Sequence, residues 1–127
     1  MRAKAQEEKR RHPRFVLDLP LDYSIGDVPS PYGGMALNGG EGGLLIQCFR
    51  SLPIGTKLNI KVMYPKGFEL TDLEASVEVV RKDRHEKGKK GYKYGLKLVQ
   101  IDKGARRKLR YLLNLGQSRR TRPALTL

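Results

Sequence analysis

Lys57-Leu58-Asn59-Ile60-Lys61-Val62-Met63-Tyr64 is the stretch whose reading decides the fold. Leu58, Ile60, Val62 and Tyr64 occupy every second position, and Lys57, Asn59 and Lys61 stand between them. This is the period of a strand with one face in a core and the other in water, the habit of antiparallel sheets. On its N-terminal side, Ser51 to Thr56 contains Pro53 and Gly55 and reads as a turn. On its C-terminal side, Pro65-Lys66-Gly67 turns the chain again. Phe68 to Arg81 then supplies one or two strands ending in the β-branched run Val77, Val79 and Val80.

Further out the same period recurs. Phe15, Leu17, Leu19, Leu21 and Tyr23 alternate with polar positions that include Asp18 and Asp22, and Pro20 interrupts them. Because proline has no backbone N–H to donate, this strand belongs at an edge, at a barrel seam or beside a bulge. Gly26 to Gly34 is a connection, Tyr32 to Leu37 a short second strand, and Asn38 to Gly43 a glycine-dense turn before Leu44 to Phe49. Lys82 to Gly91 is almost all charge and glycine, and Tyr92, Tyr94, Leu96 and Leu98 alternate after it, so a hairpin with an exposed basic tip is expected. The period then changes. Asp102 can cap a helix of about 11 residues with Ala105, Leu109, Leu112 and Leu113 on its inner face, and Gly116 is expected to end it. Five to seven strands and one terminal helix imply an all-β fold, an antiparallel barrel or sandwich, with closure the simpler way to protect the edges of so small a sheet.

The chain has 127 residues, 39% of them hydrophobic and 31% charged, enough for one domain with a small core. Its net charge of +13 favours an anionic partner. That charge is uneven: residues 1–14 hold six basic and two acidic side chains, 81–97 eight and two, and 103–122 eight and none, whereas 15–80 are slightly acidic. No apolar run is long enough to cross a bilayer, and the first residues lack the apolar stretch of a secretory signal, so a cytoplasmic location is expected. A lone Cys48, placed by alternation on the inner face with Leu44 and Ile46, excludes an intrachain disulfide, and two histidines without a cysteine pair offer no zinc site. Asp18 and Asp22 share an outer strand face with no neighbouring base, and His12 and His85 sit in charged surroundings, so an enzyme is not expected.

Two clusters could carry binding. Arg10, Arg11 and Arg14 precede the first strand. Arginine's planar fork grips phosphate, addresses the O6 and N7 edge of guanine, or stacks on a base, although a string of this kind is also what a solvated terminus looks like. Asn38 to Gly43 offers an amide that both donates and accepts, beside backbone that a ligand can approach closely. A hairpin turn explains the same residues. There is no GK[ST] ending to make it a P-loop.

Taken together, Arg10-x-x-x-Arg14, a strand, and Asn38-x-Gly40-x-x-Gly43 resemble the PilZ domain, a bacterial receptor for cyclic diguanylate (cyclic di-GMP). Gly43-Leu44-Leu45-Ile46, Leu52-Pro53-x-Gly55, Val77-Glu78-Val79-Val80 and Tyr94-Gly95-Leu96-Lys97-Leu98 extend the resemblance over residues 10–115. It implies a six-stranded antiparallel β-barrel with a C-terminal helix over 10–116, between a flexible tail at 1–9 and a basic flexible tail at 117–127. It further implies that Arg10, Arg11 and Arg14 wrap the ligand's phosphates and guanine faces. Asn38 and the backbone around Gly40 and Gly43 would hold a guanine on the barrel surface, with no cofactor. Gly40 stands where the family usually has serine, which removes a hydroxyl worth roughly 0.5–1.5 kcal/mol if it bonds the ligand. An unidentified cytosolic protein is the expected partner, contacted by the charged helix or tail. The rival reading is non-specific binding of nucleic acid or another polyanion through the basic loop and C-terminal region, without any sequence-reading motif.

Overall fold

The computed structural model describes residues 14–26, 31–83 and 91–121, with 116–121 as helix backbone only. Six strands, β1 (Phe15–Ile25), β2 (Tyr32–Gly40), β3 (Gly43–Cys48), β4 (Lys57–Lys66), β5 (Glu69–Asp83) and β6 (Tyr92–Gln100), precede one helix, α1 (Lys103–Thr121). The strands close into a barrel in the order β1-β2-β3-β6-β5-β4, and every neighbouring pair is antiparallel. The expected all-β barrel with a C-terminal helix is the observed architecture.

β4 shows why the barrel closes. Leu58, Ile60, Val62 and Tyr64 are all buried, and the strand is paired on both sides, with β1 from Leu58 to Val62 and with β5 along its whole length. Its inward side chains meet Leu21, Tyr23, Ala36, Ile46, Leu73, Val77, Val79, Tyr94 and Leu96 in one cluster. The core is apolar, and among the described residues no charged side chain is buried in it. Tyr94 keeps its hydroxyl satisfied there by donating to the Arg50 carbonyl at 3.1 Å and accepting from the Leu52 N–H at 2.7 Å. Cys48 is buried and free, the small core side chain its position predicted.

Pro20 lies at a seam and beside a bulge. β1 pairs with β2 on both sides of it, but pairing with β4 begins only at Leu21, where an N–H is again available. Between Val16 and Leu19 the register slips, and Asp18 adopts φ 50. α1 fills the end of the barrel left open there, packing Ala105, Leu109, Leu112 and Leu113 into the core. Asp102 caps it: Oδ1 accepts from the Ala105 N–H at 2.7 Å, and the carbonyl accepts from Arg106 at 2.9 Å. The space beneath the helix, lined by Leu17, Gly40, Leu44, Leu98 and Leu109 among others, is only ≈ 10 Å³. That space is far too small for a nucleotide-sized ligand.

Three local expectations are corrected. Asn38, Gly39 and Gly40 are strand rather than turn, because Gly40 pairs directly with Gly43 and only Glu41 and Gly42 turn. Phe68 to Arg81 contributes a single long strand that runs on to Asp83, past the expected start of the polar connection. Gly116 does not end α1, whose backbone continues to Thr121. An interior glycine costs a helix only about 1 kcal/mol, and no proline follows until Pro123. None of Gly39, Gly40, Gly42 and Gly43 has positive φ; among the described residues the positive-φ glycines are Gly26, Gly55, Gly67 and Gly91. The expected basic hairpin tip at 84–90, the tail at 1–9 and residues 122–127 lie outside the described residues. No described helix is long and apolar enough to cross a membrane.

Candidate ligand-binding site

Asn38 faces outward because β2 carries one extra residue. Ala36 is fully buried, and a Cβ on Gly34 would reach Leu21 and Cys48, so positions 34 and 36 point into the core. Strict alternation would turn 38 inward as well. The ladder to β3 instead slips between Ala36 and Asn38, leaving Leu37 unpaired. Position 39 becomes the inward one, where a Cβ would lie 2.6 Å from Leu44 Cδ2 and 3.1 Å from Leu17 Cδ1. The bulge therefore turns Asn38 outward and crowds position 39, where a Cβ would need the ends of Leu44 and Leu17 to shift.

A second bulge does the same for an arginine. Val77 and Val79 are buried on β5, and alternation would send residue 81 into the core after them. The β5–β6 ladder slips between Val79 and Arg81 past Val80, so Arg81 pairs with Gly95 and stays outside. Its side chain lies across Gly95, where a Cβ would meet Arg81 Cβ at 3.2 Å and Nε at 3.4 Å. Arg81 Nε donates to Asp83 Oδ1 at 2.9 Å.

The registers put both residues on one row: Val16, Asn38, Leu45, Gly95 and Arg81 are successive cross-strand partners over β1, β2, β3, β6 and β5. Asn38 and Arg81 are thus three strand spacings apart, roughly 14 Å, with Leu45 and Gly95 as the floor between them. Arg14 joins them from the chain end. Since Phe15 pairs with Gly39 and Val16 with Asn38, the residue before β1 is delivered beside the outward amide. Arg14 donates to Asn38 Oδ1 through Nε at 3.1 Å and Nη2 at 2.9 Å. Antiparallel pairing thereby joins two sequence clusters 24 residues apart.

The electrostatics of the row are those of crowded positive charge. Partial desolvation lowers the Arg14 pKa, and the like charge of Arg81 lowers it further. The two guanidinium groups are close enough to feel each other, and Arg81 is also partnered by Asp83. Among the described residues no group of histidine, cysteine and carboxylate side chains could hold a metal ion.

Of the residues singled out from sequence, Arg14 and Asn38 meet in space. Arg10 and Arg11 lie outside the described residues. Gly40 closes β2 opposite Gly43, and Gly43 is fixed by packing: a Cβ there would collide with the Leu96 carbonyl of β6, so β3 and β6 can approach only at glycine. Arg81 and Gly95 were not singled out as a pair. From sequence Arg81 reads only as the last residue of the strand that begins at Phe68 and as one charge of the basic run 81–97, and Gly95 only as part of an extended segment.

Comparison with known proteins follows from this geometry. A family model described as PilZ domain matches residues 8–115. Among curated proteins none matches the chain. The solved Bacillus subtilis inhibitor of motility (MotI/DgrA) is similar in fold, with a TM-score of 0.72 at 18% identity over 91% of this chain and 53% of that one. This chain therefore spans about half of that protein. The PilZ domain of Escherichia coli YcgR, solved with c-di-GMP, gives a TM-score of 0.67 at 12% identity over 92% of this chain and 99% of that domain. A structure of E. coli YcgR in complex with c-di-GMP gives 0.67 at 12% identity over 89% and 48%.

Proposed function

The chain belongs to the PilZ domain family, and from that membership we propose that it is a receptor for cyclic diguanylate which binds on the outward row between Arg14 and Arg81. The observation that carries this reading is the pair of bulges that turns Asn38 and Arg81 to one face, with Arg14 bonded to Asn38. Arg14 and Arg81 neutralise the phosphates, Asn38 reads a guanine edge, and Leu45 with Gly95 gives a flat seat for a purine. Two similar structures were solved with c-di-GMP, which supports this choice of ligand. Arg10 and Arg11 complete the phosphate and guanine contacts in this proposal.

Binding, rather than chemistry, is the proposed activity, with no cofactor. The ligand is an intracellular messenger, and a cytoplasmic location belongs to the same proposal. Ligand-dependent contact with a protein partner is its adaptor half: Arg10 and Arg11 held on the ligand change the surface offered to that partner.

Calorimetric titration with cyclic diguanylate, GTP and short DNA at two salt concentrations tests the reading. Saturable binding selective for cyclic diguanylate, weakened in both Arg14→Ala and Asn38→Ala, is the expected result. Salt-sensitive binding of all three ligands, indifferent to Asn38→Ala, would establish the polyanion-binding alternative instead.

A further inference from the structure

At the other end of β5 the barrel extends a two-stranded arm. β1 leaves β4 at Val62 and β6 leaves β5 at Ser76, so beyond those points β4 and β5 pair only with each other, down to Lys66 opposite Glu69. Gly67, at φ 65, and Phe68 make the two-residue loop at its tip. One side of the arm is covered by α1. Tyr111 packs 5.9 Å from the Tyr64 ring, Lys66 Nζ lies 5.2 Å over Tyr111, and Lys108 Nζ donates to the Asp72 carbonyl at 2.7 Å.

The tip itself is bare. Phe68 is wholly exposed, Leu70 is 73% exposed, and on α1 Leu115, one turn beyond Tyr111, is 40% exposed. These side chains add nothing to the core, and the fold gives no reason for them. α1 beside them carries Lys103, Arg106, Arg107, Lys108 and Arg110, with no acidic residue in its first turn. That placement works against the helix. Cations near its start face the positive end of the dipole, and Lys103 with Arg107, and Arg106 with Arg110, are like charges four residues apart. Apolar exposure and unfavourable charge thus occur together, and both become favourable against one kind of surface.

We infer that this end of the molecule docks on an anionic phospholipid bilayer, with Phe68 and Leu70 entering the boundary between headgroups and acyl chains and the α1 cations lying over the lipid phosphates. Shape selects the occupant. A hairpin tip is convex and offers no groove for a complementary side chain, whereas a deformable bilayer accepts a protruding aromatic ring. Arg81 lies about 40 Å away along the strand, so the row proposed for the nucleotide stays uncovered when the tip is seated.

Flotation with vesicles of phosphatidylcholine alone and of phosphatidylcholine mixed with phosphatidylglycerol tests the proposal. The protein is expected to float with the mixed vesicles only. Phe68→Asp lowers the partition about tenfold, a double Arg107→Glu and Arg110→Glu variant abolishes it, and thermal unfolding of Phe68→Asp matches wild type. Failure of the wild-type protein to float, or flotation unchanged by Phe68→Asp, overturns the proposal. So does equally tight binding of soluble polyglutamate that Phe68→Asp weakens, since an acidic protein would then be the occupant.

Discussion

β4 and the bulged segments of β2 and β5 are built from the same strand material and do opposite things. Along β4 the alternation is unbroken from Leu58 to Tyr64, so each inward side chain enters the core and each outward lysine or asparagine meets solvent. At Leu37 and Val80 one residue drops out of the ladder, and the face changes. An asparagine and an arginine that strict alternation would bury are thereby presented together on the outside. Regular strand builds the barrel; two interruptions of one residue build the outward row proposed to take the ligand.

The sharpest way to break this contrast is to mutate each side and ask what is lost. Ile60→Ala removes a fully packed side chain from the regular half and is expected to cost about 2–5 kcal/mol in urea unfolding, with the affinity of the folded fraction for cyclic diguanylate unchanged. Asn38→Ala and Arg81→Ala should do the reverse. Each is expected to lower affinity by roughly ten- to a hundredfold in calorimetry, the equivalent of about 1.5–3 kcal/mol for a hydrogen bond to a charged group. Unfolding midpoints should stay near wild type, because both side chains lie on the outer face.

Glycine substitutions sharpen the comparison further. Gly43→Ala places a Cβ against the Leu96 carbonyl and is expected to cost about 1–3 kcal/mol of stability, whereas Gly42→Ala, with nothing within 4 Å, should be nearly silent. The smallest expected effect is a gain. Gly40→Ser restores the hydroxyl that the family usually carries and should raise affinity for cyclic diguanylate by no more than about tenfold in the same titration.

How much of this is legible from sequence divides along the same line. β4, β1 with its awkward Pro20, the inward Cys48 and the Asp102 cap follow from periodicity and from the chemistry of single residues. Arg14 and Asn38 are visible as motif residues, because a cluster of guanidinium groups and an amide among glycines are unusual wherever the chain puts them. The row is not visible. A bulge inserts one residue with no compositional mark: Leu37 and Val80 are apolar residues in apolar neighbourhoods, like many that face inward. Without that slip, Arg81 reads as the last residue of a strand beside a basic loop, not as part of a site. Gly43 reads as part of an open turn when in fact it is confined, because sequence shows a missing side chain and not the neighbour that excludes it. Gly116 misleads in the other direction, as its cost is too small to end a helix anchored by Leu109, Leu112 and Leu113.

The claim that bulges assemble the site is tested most directly by backbone amide NMR of the wild-type protein titrated with cyclic diguanylate. The account predicts shift changes that follow the cross-strand row through Val16, Asn38, Leu45, Gly95 and Arg81, together with Arg14, while Leu58 to Tyr64 stays unperturbed. Perturbations centred on β4, or scattered over α1 with Asn38 and Arg81 unmoved, would contradict it.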